Sequence, residues 1–179
     1  MALTISLYVE NKTGVLARVA GVMAARGFNI DSLTVAKAID PGFSLMTVVV
    51  DVEERLVEQV IKQLGKLINV ITVTNLSDAP SVEREMALVK VSLPDEMRPR
   101  LLQEAEIFRA RVVDSSPGCY TLEATGDSDK LEAFLRVIEA YGRLEVVRTG
   151  AVAMLRGLPK ASTARNGGSK AIAGGPILI

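Results

Sequence analysis

Two short stretches carry most of the chemistry this chain offers, residues 11–16 (Asn-Lys-Thr-Gly-Val-Leu) and residues 27–30 (Gly-Phe-Asn-Ile). A loop that feeds a helix exposes backbone N–H groups, and such groups favour a carboxylate. Gly14 lets a ligand approach that backbone closely. Asn11 and Asn29 each offer one carbonyl acceptor and one amide donor, so together they suit the ammonium and carboxylate of a free amino acid. Leu16, Ile30 and Val35 supply apolar surface beside them. Asn and Gly also populate ordinary turns and helix stops, so the spacing alone does not establish a site.

The remaining chemistry is sparse. The chain has no His and one Cys, which removes imidazole catalysis and an internal disulfide. Cys119 has no base to activate it and reads as a structural thiol. Asp127, Asp129 and Glu132 could attract a hard cation, but the run Gly-Asp-Ser-Asp-Lys-Leu-Glu reads better as an acidic helix N-terminus. Glu83, Arg84 and Glu85, with Arg109, Arg111 and Asp114, form either a docking surface of ion pairs or simply solvated faces. No glycine motif for a nucleotide is present, so no cofactor and no metal are expected. Lys+Arg and Asp+Glu balance at 21 each, so no global field would recruit nucleic acid or an anionic membrane. With no secretion signal and no long apolar run, the expectation is a cytoplasmic protein.

The elements that must position these residues follow from periodicity. Leu3, Ile5, Leu7 and Val9 alternate with polar residues, which predicts a strand over 3–10. Val15, Leu16, Val19, Val22 and Met23 fall at helical spacing and Gly27 stops them. Residues 29–39 and 43–52 flank Asp40-Pro41-Gly42 as a hairpin. A second helix carries Leu56, Val57, Val60, Ile61, Leu64 and Leu67, and 70–73 reads as a strand. The order is βαββαβ. It recurs with a strand at 87–93, a helix carrying Leu101, Leu102, Ala105 and Phe108, and strands at 112–114 and 120–124 around a loop at 115–118. A helix with Leu131, Phe134, Leu135 and Ile138 and one long strand over 145–155 complete it. The expected class is α+β, two tandem ferredoxin-like domains over 1–77 and 85–157, joined by a linker at 78–84, with 158–179 as a disordered tail. Each sheet leaves edges uncovered, which favours a homodimer.

The run VENKTGVLARVAGVMAARGFNIDSLTVA resembles the ACT domains of acetohydroxyacid (acetolactate) synthase small subunits. The similarity continues through VEREMALVKV, EIFRARVVDSSPGCYTLEATG, KLEAFL and RTGAVAMLRG, from Met1 to Gly157, and so includes a second domain that generic ACT proteins lack. The chain departs from the small bacterial members in running on to Ile179. The resemblance implies that a branched-chain amino acid, foremost valine, binds where two N-terminal ACT domains meet, with Asn11, Gly14, Val15, Leu16, Asn29 and Ile30 at the effector positions. It also implies a regulatory, non-catalytic subunit that activates a separate thiamine-diphosphate-dependent large subunit and transmits feedback inhibition to it. The alternatives are a free-standing ACT-type sensor acting on another enzyme or a transcription factor, and a small enzyme working through carboxylates alone.

Overall fold

The computed structural model describes residues 2–157, so the tail expected over 158–179 lies outside the described residues. The described chain forms two units, 1–82 together with the segment from Ala153, and 83–152.

The first unit runs β1 (Ala2–Glu10), α1 (Val15–Ala24), β2 (Ile30–Lys37), β3 (Phe43–Asp51), α2 (Val57–Gly65) and β4 (Val70–Asn75). Its antiparallel sheet has the order β2-β3-β1-β4. Alternation along β1 buries Leu3, Ile5, Leu7 and Val9 completely, opposite Val50, Val48 and Met46 of β3. Val15, Val19 and Met23 of α1, four residues apart, and Val60 and Leu64 of α2 close the same core. Each such aliphatic side chain withdrawn from water contributes about 1.5–3 kcal/mol, set against the ordering entropy of the chain. Leu67, expected on α2, falls just past it and packs against the core from the following turn.

The second unit repeats the order with β5 (Ser81–Ser92), α3 (Arg98–Ile107), β6 (Arg111–Ser116), β7 (Cys119–Gly126), α4 (Ser128–Glu139) and β8 (Arg143–Arg148), in the sheet order β6-β7-β5-β8. Ala87, Val89 and Val91 of β5 meet Tyr120, Leu122 and Ala124 of β7, under Leu101, Leu131, Phe134 and Ile138 of the helices. Phe108 and Phe134 pack with ring centroids 5.3 Å apart. Asp127 caps α4, its carboxylate accepting from the Lys130 N–H at 2.9 Å. The two βαββαβ ferredoxin-like patterns expected of the chain are thus present as an α+β fold.

Three local expectations are revised. Residues 81–84, assigned to a linker, are the start of β5; the carbonyls of Pro80 and Ser81 accept from the backbone and guanidinium of distant Arg156, at 2.8 and 3.0 Å. The single strand over 145–155 is two, β8 and β9 (Val152–Leu155), the latter pairing β5. Between them Gly150 takes φ +81°, and the Thr149 hydroxyl accepts from the Met86 N–H at 3.1 Å. The loop at 115–118 shrinks to Pro117-Gly118, because Ser115 and Ser116 pair with Tyr120 and Cys119 of β7 and Gly118 turns at φ +69°.

Candidate functional site

The β1–α1 junction is built around Gly14. It sits at the N-cap of α1 with φ +83°, a conformation that disfavours any residue with a Cβ, yet a Cβ there would meet nothing within 4 Å. The space beside this backbone is open. Among the described residues no side chain caps α1, and its first turn carries no acid. The first turn of α1 therefore supplies no carboxylate of its own to the positive end of the helix dipole.

Neighbouring polar groups fasten the junction in place. Asn11 donates its backbone N–H to the Gly42 carbonyl at 2.8 Å and its side-chain amide to the Pro41 carbonyl at 3.0 Å, tying the loop to the β2–β3 turn. Glu10 accepts from Lys12 at 3.1 Å and from the side-chain amide of Asn69, whose own carbonyl oxygen accepts from Arg18. Sequence reasoning passed over Glu10, Arg18 and Asn69. The one available signal was a single amide inside the apolar run Leu67-Ile68-Asn69-Val70, where Asn69 is buried.

The six expected effector residues do not gather in one copy of the chain. Gly14 and Val15 adjoin Asn11; Val15 is buried in the core and Leu16 is 44% exposed. Asn29 and Ile30 lie at the other end of the sheet. Ile30 pairs with Val50, which pairs with Leu3, so Ile30 stands level with the start of β1, whereas Asn11 follows its last residue. At about 3.3 Å per residue, the seven steps from Leu3 to Glu10 span roughly 23 Å. Asn29 donates to Asp31 at 3.2 Å, and Ile30 packs against the core. Leu16, Val35 (44%) and Ile39 (72%) leave apolar surface uncovered.

The charged group expected in the second unit is likewise not one surface. Glu85 grips Arg148 through both oxygens, at 3.0 and 2.6 Å, while Arg148 also reaches Glu132 at 2.5 Å. That network pins β8 to β5 and α4, so Glu85 is taken up inside its own unit. Arg111 pairs with Glu123 at 2.9 Å, and Arg109 stands at φ +55° just after α3. Asp127 and Glu132, weighed as cation ligands, serve as helix cap and Arg148 partner. Cys119 is partly exposed and free. No helix among the described residues is long and apolar enough to cross a membrane.

Comparison with known proteins matches both units. Residues 5–72 fit the model of the AHAS small subunit-like ACT domain, and residues 84–157 fit that of the small subunit of acetolactate synthase. A probable acetolactate synthase small subunit from Archaeoglobus fulgidus is 50% identical over 157 residues, 88% of this chain and 98% of that protein. The acetolactate synthase small subunit of Aquifex aeolicus is 46% identical, covering 85% of this chain and 80% of its own. The crystal structure of the acetolactate synthase small subunit from Thermotoga maritima superposes with a TM-score of 0.79 at 40% identity, over 88% of this chain and 99% of that one.

Proposed function

The chain belongs to the family of acetolactate synthase small subunits, and on that premise we propose that it is a non-catalytic regulatory subunit. It binds valine, or leucine or isoleucine, between two copies of its first unit and relays that binding to a thiamine-diphosphate-dependent large subunit in the cytoplasm. The observation that carries this reading is the separation of Asn11 and Gly14 from Asn29 and Ile30, because a second copy removes it. β2 is an outer strand of its sheet, and its sequence is self-complementary. In an antiparallel pairing centred on Thr34, Asp31 faces Lys37 of the second copy, Leu33 faces Val35, and Ile30 faces Ala38. Asn29 of one copy then comes beside the 40–42 turn of the other, the turn to which Asn11 is bonded. The same pairing covers the apolar surface of Val35 and Ile39.

In this arrangement the open N-terminus of α1 receives the effector carboxylate, the two asparagines take its polar groups, and Leu16 and Val35 receive the branched side chain. Binding energy spent across the interface favours one pairing geometry over another, and a coupling of ~1–3 kcal/mol suffices for strong feedback control. Mixing complementary variants tests the shared site. Asn11→Ala and Asn29→Ala chains should each fail to bind valine by calorimetry. Mixed and allowed to exchange subunits, they should recover about a quarter of the sites, because one intact site forms in each mixed dimer. No recovery on mixing, with exchange verified, would place the whole site within one copy and sink the proposal.

A further inference from the structure

The two outer strands of the second unit's sheet, β6 and β8, are finished differently. β8 reads Arg-Leu-Glu-Val-Val-Arg, and an antiparallel copy centred between Glu145 and Val146 would set Arg143 against Arg148. Like charges directly opposite disfavour such pairing. β6 reads Arg-Val-Val-Asp-Ser-Ser, every residue is exposed, and neither Lys nor Pro blunts it. Val112 and Val113 remain 40% and 47% exposed.

The irregularity in β6 gives this edge its complementarity. Residues three apart in a regular strand point to opposite faces, but the register shift between Val112 and Asp114 puts Arg111 and Asp114 on one face, opposite Glu123 and Thr121 of β7. Asp114 has no ion-pair partner among the described residues. An antiparallel second β6, centred between Val112 and Val113, sets each Arg111 against Asp114 of the other copy, with the four valines at the middle. We infer that β6 is a self-association edge of the second unit, occupied by β6 of a second copy of this chain in that register. The inference is independent of effector binding, since β6 lies in the unit that does not carry Gly14.

Hydrogen–deuterium exchange on the full-length chain reads β6 and β2 separately in one experiment. The β6 amides without a partner on β7 should be protected at high protein concentration and lose that protection on dilution. Arg111→Asp places like charges opposite one another twice in the pair and should weaken this association by about tenfold or more. It also removes the Glu123 bond, so the exchanged pair Arg111→Asp with Asp114→Arg serves as control: it rebuilds the ion pairs between copies and should restore protection. Exchange of these amides at the unprotected rate at every concentration overturns the inference. So does protection that survives Arg111→Asp, or a double variant that fails to rescue it.

Discussion

The two units share one topology and differ most where their first strand hands over to their first helix. In the first unit, Asn11-Lys12-Thr13-Gly14 leaves α1 without a capping side chain or an acid in its first turn. In the second, β5 leads through Pro94 into a 3-10 turn, Asp95–Met97, whose Asp95 and Glu96 lie just before α3. Like α1, α3 has neither a capping side chain nor an acid in its first turn; the two junctions differ in their backbone, a left-handed glycine before α1 against Met97 in the helical region, at the end of a 3-10 turn, before α3. The lesson is that a duplicated fold keeps its order of strands and helices while the loop at one junction takes a different backbone course.

Four substitutions test how independently the two units behave. The largest effect is expected at Phe134, fully buried in the second core. Phe134→Ala should cost about 3–5 kcal/mol in the stability of that unit. Because the units have separate cores, valine binding to the first should survive, as calorimetry run beside thermal unfolding would show. Next comes Gly14→Asp. It strains a φ of +83° by about 1–2 kcal/mol and puts a carboxylate where the effector's would sit. Valine affinity should fall by about a hundredfold, or ~2.7 kcal/mol, while activation of the large subunit persists; loss of both activities would mean that the fold had failed instead.

Asp127→Ala should remove the cap of α4 at a cost of ~1 kcal/mol, measured as a lower denaturant midpoint without altered effector binding. The smallest effect concerns alkaline pH. Burial first, and then the Glu104 carboxylate beside its hydroxyl at 3.3 Å, raise the pKa of Tyr141. The neutral phenol is therefore favoured in the folded state. Its contribution is complete below the ordinary phenol pKa of about 10 and is lost as pH rises through the higher folded value. Tyr141→Phe should flatten that alkaline limb of the stability curve.

Much of the fold was legible residue by residue. The alternation of Leu3, Ile5, Leu7 and Val9 marked β1, and the spacing of Val15, Val19 and Met23 marked α1. Gly27 at φ +72° ended that helix in a left-handed turn, as its identity suggested. Boundaries failed where distant partners decided them. Pro80 and Ser81 look like linker until Arg156 supplies donors to their carbonyls, and a continuous strand over 145–155 looks natural until Thr149 substitutes its hydroxyl for the ladder beside Met86.

The candidate site shows the same division. Local residue types were enough to single out the two stretches, because glycine before a helix and amide side chains beside it have consequences that need no tertiary context. Only the register of β1, β2 and β3 revealed that those stretches occupy opposite ends of one sheet. Likewise only the shifted pairing of β6 put Arg111 and Asp114 on one face. Periodicity and turn chemistry are properties of neighbours along the chain and can be read there. Which ends meet, which face a residue joins and which charge finds a partner depend on strand pairing across long sequence separations, and that was settled by tertiary structure alone.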